Sequence, residues 1–283
     1  MPVRINEEMH MIDDIHYGDT PHRPDITGIL VSGRRGRIFT TLYTSAGEGL
    51  HPVILMMHGI PGHEQNADLA QMFRRIGFHV MLFHYSGSWG SDGAYSLAHN
   101  IEDANTVLDY ILHDEAHGFD KRRVFAIGHS LGGFVCAQLA GKRSEIRGAA
   151  FLMPCDIGQV WKARNQNPDA FRILCDILDD SVKWLNGTSK DAFLSELSLH
   201  GDEYTLSSTA AALAQKPLLI VAATLDTYTP PESHCEPLAQ EILAENGTML
   251  RQVSLPTDHF AADYRIELAL TVCRFFTDLL NQP

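Results

Sequence analysis

The stretch "FAIGHSLGGFV", residues 125–135, sets Gly128, Ser130 and Gly132 at alternate positions directly after an apolar run. A serine hydroxyl is a poor nucleophile until a general base takes its proton during attack. In a sharp turn between strand and helix it is presented outward. The flanking glycines matter there because a Cβ at either place would collide with neighbouring backbone. The N–H of Leu131 falls at a helix start, where free donors and the helix dipole favour a negative oxygen. The chemistry implied is acyl transfer to Ser130.

That chemistry needs a base, a group that orients the base, and a second oxyanion donor. His259, in "LPTDHFAADYR", follows the last apolar run and precedes the last helix. The chain has 15 histidines, so residue type alone means little; chain position and loop select His259. Asp226, in "LLIVAATLDTYTPP", lies just past a buried run and is placed to hold the histidine in its working tautomer. Asp156, after "FLMP", is the rival acid. Asp226 is preferred because its strand reads as the penultimate one, which gives the order Ser…Asp…His. In "HGIPG" (58–62) the Ile60 N–H is the second donor expected at the oxyanion, and His58 and His129 read as loop-shaping residues. "HDEAH" (113–117) has two histidines at helical spacing, but Asp114 stands where a zinc protease has Glu, and no third ligand follows. "GSWGSDG" (87–93) lacks the lysine and spacing of a phosphate loop. No metal or cofactor is implied.

These residues must be positioned by the elements between them. A hairpin is expected over 26–45, and strands at 51–59, 78–85, 123–128, 148–154, 217–226 and 249–255. Helices are expected at 66–77, 101–118, from 131, at 236–246 and at 264–281. This alternation predicts a mostly parallel sheet with helices on both faces, and functional loops gathered at the carboxyl ends of its strands. From 155 to 215 the alternation gives way to helical patterns, with Phe171, Leu174, Leu178, Val182 and Leu185 on one face. The expected organisation is an arm at 1–25, a core at 26–154 and 216–283, and a helical cap at 155–215. Trp161, Phe171 and Trp184 of the cap, with Tyr85 and Trp89 at a strand end, are candidates for apolar pocket lining.

Composition narrows the class. Apolar residues at 45% and charged residues at 20% fit an ordinary globular enzyme. The net charge of −13 disfavours nucleic acid or an anionic membrane as partner. No apolar run approaches a membrane span. Five scattered cysteines without a close pair read as reduced thiols, and the opening "MPVRINEEMHMIDD" lacks the apolar centre of a secretory signal. A cytoplasmic location is therefore expected. The polar arm 1–25 is a candidate exchange element of a homodimer.

In this order, "HGIPG", "GSWGSDG", "GHSLGG", "LD…PP" and "DHF" resemble the α/β-hydrolase superfamily, in particular its prolyl-oligopeptidase-like and dienelactone-hydrolase-like esterase branch. The likeness covers 26–154 and 216–283, with 155–215 where that family carries a variable cap. It implies an eight-strand-type sheet and a triad of Ser130, Asp226 and His259, with Ile60 and Leu131 N–H at the oxyanion. The short segment before the first strand is unlike the β-propeller of true oligopeptidases, so a small carboxylic ester is the expected substrate. Amide, thioester or carbon–carbon cleavage by the same triad is the alternative. So is a ligand-binding protein on a hydrolase scaffold, since fold and function are separable.

Overall fold

The β3 segment "HPVILMM" is buried at six of its seven positions, and its side chains divide between two cores. Val53, Leu55 and Met57 enter one core, while Ile54 and Met56 enter the other, the period-2 alternation of a strand covered on both faces. Full burial of one such side chain contributes about 1.5–3 kcal/mol. The computed structural model describes residues 14–19 and 22–281. The expected arm 1–25, and any subunit exchange through it, lies largely outside the described residues.

The strands are β1 (Asp25–Gly33), β2 (Gly36–Thr44), β3 (His51–Met57), β4 (His79–Phe83), β5 (Phe119–His129), β6 (Ile146–Leu152), β7 (Leu218–Ala223) and β8 (Leu250–Leu255). They form one eight-stranded sheet in the order β1-β2-β4-β3-β5-β6-β7-β8. The β1–β2 hairpin joins β4 antiparallel, and every pairing among β3 to β8 is parallel. Helices α1 (Ala67–Arg75) and α9 (Arg265–Leu280) cover one face. The other face is covered by α2 (Leu97–His113), α3 (Leu131–Lys142) and α8 (Pro231–Ala244). The expected mostly parallel sheet with helices on both faces is the observed one.

Between β6 and β7 run α4 (Ile157–Lys162), α5 (Pro168–Ser181), α6 (Lys190–His200) and the short α7 (Ala210–Leu213). This insertion is tied back to the core. Ser88 bridges Leu185, the Asn186 N–H donates to Gly87 O at 2.7 Å, and the Tyr95 N–H donates to Asn186 O at 2.9 Å. The Glu196 carboxylate of α6 accepts the Leu97 and Ala98 N–H groups at 3.0 and 2.7 Å, an anion at the amino end of α2.

Two helices differ from expectation at their ends. Expected over 101–118, α2 begins at Leu97 because the Ser96 side chain accepts the His99 N–H. It ends at His113 because Asp114 turns extended and its carboxylate accepts the Ala116 and His117 N–H groups. His113 and His117 therefore do not share a helix face; His117 Nδ1 pairs with Asp114 at 2.9 Å. The other helix, α8, starts at Pro231 rather than 236, since proline suits a first helical position, where no N–H partner is needed. None of the described helices is long and apolar enough to cross a membrane, and all five cysteines are unpaired.

Candidate active site

Ser130 sits between the end of β5 and the start of α3 with φ 56° and ψ −124°, a conformation L residues rarely adopt. Holding a non-glycine residue there costs about 1–3 kcal/mol, so the surroundings must enforce it. The Ser130 N–H donates to Leu152 O at 3.0 Å, and Ser130 O accepts the Gly133 and Cys155 N–H groups, each at 2.8 Å. A Cβ on Gly128 would lie 2.1 Å from Gly132 O, and one on Gly132 would lie 2.1 Å from Met57 O. The turn is possible only because both are glycine. A Cβ on Gly59 would come within 2.9 Å of Ser130 Cβ, so the "HGIPG" loop packs directly against the serine.

The loops after β7 and β8 meet at the same rim. His259 Nδ1 lies 2.7 Å from Asp226 Oδ2, with both residues buried. A carboxylate only accepts, so Nδ1 carries the proton and Nε2 keeps its lone pair. Asp226 is further held by Thr229, whose hydroxyl donates to Oδ2 at 2.8 Å, while the Tyr228 and Thr229 N–H groups donate to Oδ1 at 2.8 and 2.9 Å. Burial pushes the Asp226 carboxyl upward, but the His259 hydrogen bond and charge, with the Thr229 donors, outweigh it and hold it below its ordinary value. His129 donates from Nε2 to His259 O at 2.9 Å, tying the serine turn to the histidine loop. His58 donates from Nδ1 to Gly59 O at 2.7 Å. The rival carboxylate, Asp156, caps α4 through the Gln159 N–H at 3.0 Å. Burial raises its pKa to about 6.

Ser130, Ile60, Leu131 and His259 all line one cavity of about 710 Å³. The Ser130 hydroxyl is not hydrogen-bonded to His259 here; in free enzymes such contacts commonly tighten only around substrate. The Ile60 and Leu131 N–H groups have no partner among the described residues, as oxyanion donors require. One wall is the inner stripe of α5, with Ala170, Ile173, Leu174, Ile177 and Leu178 at helical spacing.

Of the five aromatic residues considered as lining, Trp184 is on the cavity wall. The other four lie off it. Tyr85 is fully buried, with its hydroxyl donating to His58 O at 3.1 Å. Trp89 stacks on Trp184 at the surface, ring centroids 6.0 Å apart. Trp161 packs on Phe171 at 5.9 Å, under the Arg164 guanidinium. Sequence reasoning missed Thr229, His234 and the α5 stripe. The spacing of Asp226 and Thr229, an Asp and a hydroxyl three residues on in a Pro-bounded turn, was the one local signal available.

A family model described as alpha/beta hydrolase fold matches residues 52–172. The acylamino-acid-releasing enzyme of Rattus norvegicus is 33% identical over 105 residues, which cover 33% of this chain and 14% of that protein. Lysophosphatidylserine lipase ABHD12 of Gallus gallus is 35% identical over 98 residues, 34% of this chain and 25% of that protein. The chain thus matches a quarter or less of the length of these two relatives. The crystal structure of 2,6-dihydroxy-pseudo-oxynicotine hydrolase superposes with a TM-score of 0.68 at 15% identity, over 92% of this chain and 68% of that one. At that identity the likeness speaks for the fold.

Proposed function

We propose that this chain, whose residues 52–172 match an alpha/beta hydrolase family model, is a serine hydrolase of that fold, cleaving a small carboxylic ester through an acyl-enzyme on Ser130. His259 Nε2 takes the hydroxyl proton as Ser130 Oγ attacks the carbonyl carbon. The carbonyl oxygen becomes an oxyanion held by the Ile60 and Leu131 N–H groups, and one such donor is worth about 3 kcal/mol of barrier. The tetrahedral intermediate collapses, the C–O bond to the alcohol breaks, and His259 returns its proton to the leaving oxygen. Water activated by the same histidine then releases the acid. Asp226 stabilises the imidazolium in each half-reaction. The insertion 155–215 covers the site, and no metal takes part. Five unpaired cysteines suit a reducing compartment such as the cytoplasm.

The observation that carries this reading is the buried 2.7 Å contact between His259 and Asp226 on the cavity that holds the strained Ser130. Amide cleavage is the second reading. The same groups serve it, and of the two relatives one is named as an acylamino-acid-releasing enzyme and the other as a lysophosphatidylserine lipase.

The test compares p-nitrophenyl butyrate with N-acetyl-alanine p-nitroanilide, for wild type and Ser130→Ala. Ester turnover that falls at least ~1,000-fold in the variant supports the proposal. Anilide kcat/KM equal to or above that of the ester moves the assignment to amides. A wild type that cleaves neither leaves a ligand-binding role.

A further inference from the structure

Among the polar groups of the cavity that the reaction outlined above leaves unused is the imidazole of His234. His234, in the first turn of α8, is 2% exposed and lines the cavity. Its Nδ1 accepts the backbone N–H of Asp156 at 2.9 Å. An N–H needs a lone pair, so Nδ1 is unprotonated, and a neutral imidazole then carries its proton on Nε2. Burial keeps the ring neutral by pushing its pKa down to about 4, against the pull of Asp226 and with the push of His259. The Nε2–H has no partner among the described residues. The unpaired nitrogens of His58, His84 and His129 are fully enclosed; that of His234 is not, and His234 lines the cavity.

A donor this buried and unpaired is costly unless something else accepts from it. The backbone that sets its tautomer is fixed, because Asp156 is anchored as the cap of α4. The tautomer is therefore built in before any ligand arrives. Charge around the cavity decides which acceptor fits. Glu64, Asp169, Asp180 and Glu232 border it, and the one lysine there, Lys183, already pairs with Asp180 at 3.1 Å. An anionic acceptor is repelled, whereas a neutral carbonyl, ether or hydroxyl oxygen is not.

We propose that His234 is a specificity-determining residue whose Nε2–H binds a second, neutral oxygen of the substrate, apart from the scissile carbonyl. The proposal rests on the hydrolase reading and deepens it. The substrate class is an ester, or amide, with an apolar body against α5, a further uncharged oxygen, and no anionic group beside it.

The test uses p-nitrophenyl methoxyacetate and p-nitrophenyl butyrate, acyl groups of equal length that differ by one oxygen. The ratio of their kcat/KM values, divided by the ratio of their hydroxide-catalysed rates, removes intrinsic reactivity. His234→Phe is expected to lower the corrected ratio about five- to tenfold, the size of one net hydrogen bond. His234→Gln, whose amide can accept from Asp156 and donate onward, restores most of it. A ratio within twofold of wild type in His234→Phe overturns the proposal.

A measurement on the wild type guards against a variant that fails to fold. Long-range 1H–15N spectra should show His234 protonated on Nε2 alone. That resonance should shift with saturating methoxyacetone and not with 2-pentanone. A proton on Nδ1, or equal responses to the two ketones, overturns the proposal. Loss of all ester turnover in the wild type would sink the hydrolase reading, while the ketone comparison would still decide the role of His234.

Discussion

Lowering the pH should unfold this protein steeply, because it buries neutral histidines. Burial depresses His58, His79 and His129 to about 3, and His84 and His234 to about 4, from an ordinary 6.5. Neighbouring rings add to the burial: His84 lowers His58 further, His51 lowers His79, and His259 lowers His129. A histidine whose folded pKa is depressed contributes its full stability above 6.5 and surrenders it as the pH falls toward the folded value. Each gives up about 2 kcal/mol between pH 7 and pH 5. Asp156 works the other way. Its folded pKa is raised to about 6, so its penalty eases as the pH falls, returning about 1 kcal/mol over the same interval. The net loss is about 3 kcal/mol by pH 6 and about 8 kcal/mol by pH 5, comparable with the whole stability of a typical domain, about 5–15 kcal/mol. Urea unfolding followed by circular dichroism at pH 7, 6, 5.5 and 5 measures this directly. A loss smaller than about 3 kcal/mol by pH 5 would refute the reasoning, since it would mean that these rings take up protons while folded.

Two further substitutions probe the site and its surroundings. Thr229→Val removes the hydroxyl that donates to Asp226 Oδ2 while keeping the side-chain shape. A hydrogen bond to a charged group is worth about 1.5 kcal/mol, so kcat for p-nitrophenyl butyrate should fall roughly tenfold with KM little changed; an unaltered kcat would show that Asp226 does not need Thr229. Asp156→Asn keeps an acceptor for the Gln159 N–H but removes a buried carboxylate whose folded pKa is raised. It should stabilise by up to ~3 kcal/mol at pH 7.5 and by about half that at pH 5 in urea titrations, and a gain independent of pH would contradict the burial of charge at this position.

The parts of the site that could be read from the sequence are those whose chemistry is local. Gly128 and Gly132 bracket Ser130 because backbone oxygens lie 2.1 Å from where their Cβ atoms would be, and a close approach of that kind demands glycine in the sequence itself. Asp226 and His259 stand out in the sequence by their places after two apolar runs, and the parallel pairing of β7 with β8 brings those two loops to one rim.

The remainder depends on contacts between distant segments. Tyr85 follows a strand whether its ring turns to a pocket or to the core, and only the fold shows its hydroxyl on His58 O. His234 takes its meaning from an Asp156 N–H 78 residues upstream. On α5, Leu174 and Leu178 were legible as an apolar face. That Ile173 and Ile177 share the cavity wall follows from how the insertion sits over the sheet rim, which periodicity does not encode. At the ends of α2, side chains of Ser96 and Asp114 competing for backbone N–H groups overrode the longer helical pattern.

The central claim is that Ser130 is the nucleophile, activated by His259 and Asp226. Incubation of the folded wild type with a fluorophosphonate, followed by intact-mass and peptide mass spectrometry, tests it most directly. The account predicts one adduct per chain on the peptide carrying Ser130, lost in Ser130→Ala and slowed at least ~100-fold in His259→Ala. No adduct, or one on another residue that persists in Ser130→Ala, would contradict it.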